Sequence, residues 1–270
     1  MAAELVHEHT LYAEPIAHIG DFVVTNSLLT SALAFIIILA LGLAVRRKIR
    51  SVPTGIQNMM EMIIEAFLGI FDDVTGSRKK SLKLAPVVLA FFFFVLINNW
   101  LGILPGVGSF GQIVEHGGRQ FFVPYLRGAT ADLNTTLALA TIGVVLSHIF
   151  GVLAVGWWKY LNKFVNIKAF LEIPGKIRRD PMVILTNPIK AFVSFIEIIG
   201  ELAKVASLTF RLFGNIFAGE VLLASISAMI AFGAPIPFLF LEVLVGLIQA
   251  LIFAMLVLTY MTINTTAEEH

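Results

Sequence analysis

The chain has 270 residues, of which 58% are hydrophobic and only 14% charged, with 23 phenylalanines and a formal net charge of +1. Its mean hydropathy is +0.89, whereas a soluble domain carries about 25% charged residues, so the composition excludes an ordinary soluble protein and describes a polytopic helical membrane protein. The lack of cysteine excludes disulfides, thiolate chemistry and Cys-ligated metal or iron–sulfur centres.

Residues 1–26 are polar and mixed, with Glu4, His7, Glu8, His9, Glu14, His18 and Asp21. They read as a short non-spanning tail ahead of one membrane domain over 27–270. No Lys or Arg precedes Arg46, so the basic start of a signal peptide is missing. The first span is 27–45, closed by Arg46, Arg47, Lys48 and Arg50. Over 56–73, Gln57, Glu61 and Glu65 recur every fourth residue among Met, Ile and Phe. That spacing predicts an amphipathic helix on the interface or the bundle rather than a span.

A basic turn (Arg78, Lys79, Lys80, Lys83) leads to a second span over 86–104. A Gly/Pro-containing polar loop covers 105–131, and Asp132 or Asn134 is placed to cap a span over 133–158. A basic connector follows. Residues 182–230 form a near-continuous helical pattern, a turn lies at 232–237, and 238–263 returns as helix.

The basic residues are sorted by side. Eight lie in 46–83 and seven in 159–190, but only Arg119 and Arg127 lie in 105–132. The first two segments are therefore on the positive inside. The N-terminus comes out extracytoplasmic, the C-terminus cytoplasmic, and the chain crosses five times. The expected fold is an all-α polytopic membrane protein of five crossing helices plus one amphipathic helix. One length does not fit an upright helix: Pro188 to Ile230 would be about 65 Å long at 1.5 Å per residue. A hydrocarbon core is about 30 Å thick, so the C-terminal hairpin is expected to tilt strongly, as if gripping a curved partner.

Arg211 lies within this otherwise apolar stretch. An arginine at membrane depth costs roughly 2.5–3.5 kcal/mol on insertion scales, and it cannot escape by losing its proton. At 100° per residue, Glu197, Glu201, Lys204, Ser207 and Asn215 fall within about 80° of it. Glu197, Glu201 and Lys204 are nearer the basic end, where ion pairing among themselves or with Lys190 is the plain reading and a cytoplasmic-side path the sharper one. Arg211 has no acid on its own turn. Its counter-charge must come from another helix or subunit. Gly214 and Ala218 make a small patch beside it that permits close approach.

Glu220 falls about 180° from Arg211 and some 13 Å along the helix, so it serves a different surface. Glu242 and Gln249, seven apart on the return helix, share one face. Folding the hairpin brings Glu220 near Glu242, with Gln249 between them and the arginine. Two carboxylates in a partly desolvated site suit proton uptake near neutrality. Asn98 and Asn99 read as interhelical hydrogen bonders, and Ser147 and His148 as core polar contacts. No phosphate loop, metal-ligand cluster or nucleophile triad is visible, so no cofactor, metal, nucleic acid or bound-substrate chemistry is expected.

The run Leu208–Glu220 with Arg-Leu-Phe-Gly-Asn followed by Ala-Gly-Glu resembles subunit a of the F-type ATP synthase membrane sector, bacterial type. So do Thr130-Ala-Asp-Leu-Asn134, Asn99-Trp-Leu-Gly-Ile-Leu-Pro105, Asn187-Pro188 and Gln249-Ala-Leu-Ile-Phe253. The resemblance covers most of 25–270. It implies a non-catalytic stator subunit in a bacterial inner membrane, whose partners are a c-ring, peripheral-stalk b subunits and lipid. It also implies protons as the carried ion, with sodium the less favoured alternative, a choice that lies mainly in the surroundings of the ring carboxylate. Arg211 would be the essential arginine facing the ring carboxylates. Asn215, Glu220, Glu242 and Gln249 would line the extracytoplasmic half-channel, and Glu197, Glu201 and Lys204 the cytoplasmic side. Some bacterial relatives carry histidine where Glu242 stands, so the order of transfer between Glu220 and Glu242 is open. Two other classes compete: a secondary transporter, which inverted repeats would favour and this sequence does not show, and a structural membrane scaffold.

Overall fold

A computed structural model describes residues 10–47, 49, 52–104, 106–116, 119–165, 183–230 and 233–266. Their elements, in order, are β1 Pro15–Ile19, β2 Phe22–Thr25, α1 Asn26–Arg47, α2 Ile56–Thr75, α3 Arg78–Ile103, β3 Gly111–His116 and β4 Arg119–Pro124. A 3-10 turn at Ala129–Ala131 precedes α4 Leu133–Val155, α5 Trp157–Val165, α6 Val183–Met229 and α7 Pro235–Thr266. Five helices are long and apolar enough to cross a membrane: α1, α3, α4, the Ile196–Met229 part of α6, and α7. This is the all-α polytopic architecture that the sequence predicts, with α2 as the additional helix.

Local chemistry sets the ends of these helices. Thr25 Oγ1 accepts from the Leu28 N–H at 3.3 Å, satisfying one of the donors left open at the start of α1. Arg46 and Arg47 lie in its last turn, where cations complement the helix dipole. Gly76, at φ 66°, stops α2 and donates to Asp72 O at 2.9 Å. The α3 helix starts at Arg78, inside the basic turn, and carries Pro86 within it. The α4 helix is shorter than the apolar run that predicts it: Gly156, at φ 92°, ends it and α5 restarts at Trp157.

The core lies where α3 and α4 pack on α7, and α6 closes over α4 and α7. Phe91 and Phe253 meet across α3 and α7 with ring centroids 5.8 Å apart, and Phe67 of α2 meets Phe92 of α3 at 4.5 Å. Close approach uses glycine: a Cβ on Gly143 of α4 would stand 3.0 Å from Val257 of α7. In lipid the hydrophobic effect between helices is weak, so such packing and buried hydrogen bonds carry the association. Asn99 Nδ2 donates to Gly246 O at 2.9 Å and Trp100 Nε1 to Val243 O at 3.2 Å, which pins the end of α3 to α7. Asn98 differs from expectation. It donates to Phe94 O of its own helix at 2.8 Å, since the adjacent Asn99 takes the interhelical position.

Both polar segments that the sequence leaves unstructured contain hairpins. β1 pairs antiparallel with β2, and β3 with β4 from Gly111↔Pro124 to His116↔Arg119. Gln112 Nε2 donates to Ile16 O at 3.3 Å and links the two. They sit at one end of the bundle, and α5 lies with the opposite ends of α4 and α7.

Candidate functional site

At the hairpin-bearing end, Asp132 organises the start of α4. Its carboxylate accepts from the Asn134 and Thr135 N–H groups at 3.2 Å each and from Thr135 Oγ1 at 2.8 Å. It also accepts from Ser27 Oγ at 3.1 Å and the Ala13 N–H at 3.2 Å. The expected cap is therefore also a knot joining α1, α4 and the N-terminal segment. Thr130 Oγ1 donates to Asn99 Oδ1 at 2.6 Å, tying the same turn to α3.

Beside this knot is a cavity of about 480 Å³. Its polar wall includes Glu14, Asn99, Arg127, Ser227, Glu220 and Glu242. The hairpin fold thus brings Glu220 and Glu242 to one space, as their sequence positions require. Glu220 is ion-paired with Arg127: Nε donates to Oε1 at 3.0 Å and Nη2 to Oε2 at 3.0 Å. Glu242 is 7% exposed, and its carboxylate lies directly over the backbone of Gly219, filling the space a side chain would take there.

Below the cavity, Asn215 of α6 donates through Nδ2 to Gln249 Oε1 of α7 at 2.8 Å. This pair stands between the two carboxylates and Arg211, one turn from the latter on α6. Arg211 itself is exposed. Its closest polar contact is Ser207 Oγ, 3.5 Å from Nη2, and among the described residues it has no carboxylate at ion-pair distance. Its surroundings on α6 are open: the adjacent Phe210 is 63% exposed, and Ser207, Asn215 and Ala218 on its own face are exposed as well.

Towards the other end of α6 lies a second polar group. Lys204 Nζ donates to Glu201 Oε1 at 2.7 Å and stands 5.1 Å over the Tyr260 ring, a cation–π distance. His148 Nε2 is 3.5 Å from Glu201 Oε2, and His148 Nδ1 is 2.6 Å from Tyr160 Oη. Burial first, and then the charges of Glu201 and Glu197, push the Tyr160 phenol up, so it keeps its proton and can donate to Nδ1. Ser147 lies next to this group and accepts from Asn264 Nδ2 at 3.0 Å. Glu197 is half-buried on the same face of α6, one turn before Glu201.

Three participants escape the sequence reading: Arg127, Glu14 and Tyr160. Arg127 carries one usable signal, a lone cation three residues before the Thr130-Ala-Asp stretch. Glu14 and Tyr160 carry none, because each meets its site only through long-range packing. Among the described residues, no three His, Asp or Glu converge as metal ligands. The arrangement offers two polar regions on different parts of the α6–α7 hairpin, with an uncompensated guanidinium between them.

Known proteins of similar sequence give this geometry a family. The model of the family described as ATP synthase A chain matches residues 28–262. The chain is 31% identical over 253 residues to an ATP synthase subunit a from Syntrophobacter fumaroxidans, covering 93% of this chain and 89% of that protein. It is 29% identical over 245 residues to the one from Moorella thermoacetica, with 91% and 93% covered. Against the one from Campylobacter jejuni it is 31% identical over 240 residues, with 88% of each covered. The chain belongs to the ATP synthase A chain family.

Proposed function

We propose that this protein is the stator subunit of a rotary ATP synthase in a bacterial plasma membrane, providing two offset proton half-channels and the arginine that separates them. The observation that carries this reading is Arg211: a permanent charge, exposed on a membrane-depth helix, with no carboxylate in reach among the described residues. A cation in that setting calls for a carboxylate supplied by a neighbouring subunit. A ring of small c subunits that each present one carboxyl would meet that need.

In lipid, such a carboxyl stays protonated because its anion is poorly solvated. Within about 4 Å of Arg211, at an effective dielectric near 20, the anion gains roughly 4 kcal/mol, or about three pKa units. The proton is released there, and another is taken up after rotation. The fixed charge also blocks direct passage between the half-channels. Each charge moved across 100 mV supplies about 2.3 kcal/mol to turning the ring.

The entrance would be the cavity bearing Glu220 and Glu242, continued by Asn215 and Gln249 towards Arg211. The exit would lie near Glu201, Lys204 and Glu197. The distribution of Lys and Arg supports an extracytoplasmic N-terminus and a cytoplasmic C-terminus. At 47 residues, α6 is about 70 Å long. A tilted course through a core of about 30 Å accommodates it and suits a surface that follows a cylinder. Partners are the c-ring, peripheral-stalk b subunits and lipid, and the subunit carries no catalysis of its own. The test is Arg211→Ala in the assembled complex. Proton pumping and coupled ATP synthesis vanish while the subunit composition is unchanged; retained coupling would sink the reading.

A further inference from the structure

The wall of the cavity is held by a segment far from it in sequence. Residues 10–14 cross the bundle end as a strap. The Leu133 N–H donates to Leu11 O at 3.2 Å, the Ala13 N–H to Asp132 Oδ1 at 3.2 Å, and the Glu14 N–H to Asn26 Oδ1 at 3.1 Å. Arg127 lies under this strap and is only 5% exposed. Its Nη1 donates to Thr10 Oγ1 at 3.1 Å and to Tyr12 O at 3.3 Å. Its Nη2 donates to Thr10 O at 2.8 Å and also reaches Glu220 Oε2.

A guanidinium presents its donors in one rigid plane. Here the strap takes one edge of that plane and Glu220 takes the other. The strap carbonyls are neutral and fix orientation, while the carboxylate balances the charge. A shift of the strap therefore turns the plane and carries Glu220 with it. A pair serving only to join loops has no need to stand in a cavity wall opposite a second, buried carboxyl. Among the described residues, the charged groups sharing the cavity wall with Glu220 are Arg127, Glu14 from the strap, and Glu242 from α7.

We propose that the strap Thr10–Glu14 and Arg127 form a positioning unit for the proton entrance, in which the strap carbonyls set the guanidinium and the guanidinium sets Glu220 on the wall shared with Glu242. This rests on the function proposed above. Glu220 handles the proton; Arg127 acts through it and the strap acts through Arg127.

The experiment uses the complete ATP synthase in liposomes with proton flux as the readout. Arg127→Ala lowers flux on the order of 10- to 100-fold, the scale of a misplaced reacting group. Millimolar guanidinium chloride restores part of it by occupying the vacated site, and sodium chloride of equal ionic strength does not. Deleting residues 1–12 lowers flux similarly with Arg127 in place, and guanidinium gives no recovery there. Unchanged flux in either variant overturns the proposal, as does a loss in assembled Arg127→Ala complex that guanidinium leaves untouched. Where Arg127→Ala does not assemble, the deletion decides by itself. Arg211→Ala in the same liposomes separates the two readings. Persistent flux there defeats the proposed function, whereas its loss alongside full flux in both entrance variants defeats the positioning unit alone.

Discussion

Arg127 and Arg211 are opposite solutions to placing a guanidinium in an apolar chain. Arg127 is buried, divided between a carboxylate and three oxygens of Thr10 and Tyr12. Its charge is balanced inside the protein. Arg211 is exposed and, among the described residues, has a single 3.5 Å hydrogen bond, to Ser207, and its charge is left for something else to balance. Burial and saturation mark a residue that positions groups inside the protein. Exposure without compensation marks the one that works on a partner. The two can be separated by measuring stability and proton flux on the same variants.

The largest effect falls on Arg211. Losing roughly 4 kcal/mol of stabilisation of a ring carboxylate corresponds to about a thousandfold loss of proton release. Arg211→Ala is expected to remove flux and leave the denaturation midpoint of the solubilised complex where it was, because no internal bond of consequence is lost. A large fall in the midpoint would show that the arginine is structural after all and would erase the contrast with Arg127.

Asp132→Ala is the inverse case. It removes the α4 cap and the bonds from Ser27 and the N-terminal segment. Loss of a cap together with hydrogen bonds to a charged group predicts a destabilisation of about 2–4 kcal/mol, measured as a lowered midpoint in denaturant. The proton flux of the molecules that remain folded should fall less than in Arg127→Ala, because the strap keeps its bonds to Leu133 and Asn26. An unshifted midpoint would mean that the knot contributes nothing.

Gly219→Ala lies between these extremes. The added carbon would overlap the Glu242 carboxylate, so that side chain must leave its place in the cavity wall. A flux reduction of about tenfold is expected, of the kind that misplaced reacting groups produce, with little change in assembly. Gly69→Ala is the control, since its added carbon meets nothing within 4 Å. Equal flux in the two variants would remove Glu242 from the entrance.

The difference between the two arginines also explains what the sequence discloses. Arg211 is conspicuous because its neighbours on one helix are apolar, and the 3.6-residue period alone shows that no acid shares its turn. The five crossing helices and the meeting of Glu220 with Glu242 follow from periodicity and hairpin folding in the same way. Arg127 gives no such sign, because its partners are about a hundred residues away on both sides: Thr10 and Glu220 are 117 and 93 positions distant. His148 reads as a core polar contact until α5 turns back at Gly156 and delivers Tyr160 to it. The β-hairpins pass unread for another reason. Strand alternation over four to six residues is a weak signal, and these short strands lie in segments of mixed composition.

The smallest effect is expected at the charged pairs of the α2–α3 corner, where both partners face outward. Arg78 donates to Glu65 at 2.7 Å and to Asp72 at 2.9 Å, with side chains 43%, 69% and 31% exposed. The distances are as short as those of Arg127 to Glu220, so distance does not separate the sites; access to polar solvent does. The Ser81 hydroxyl, and after it the Arg78 guanidinium, hold the Asp72 carboxyl below its ordinary value of 3.8. Such a group favours the folded state above that ordinary value and loses its contribution as pH falls through the depressed one. Between pH 5 and 8, about the range of greatest stability for most proteins, neither the denaturation midpoint nor the flux should respond to this corner. Arg78→Ala is likewise expected to shift neither measurably, as with most exposed ion pairs. A clear fall in the midpoint on Arg78→Ala would place this corner under a partner or within lipid rather than in water.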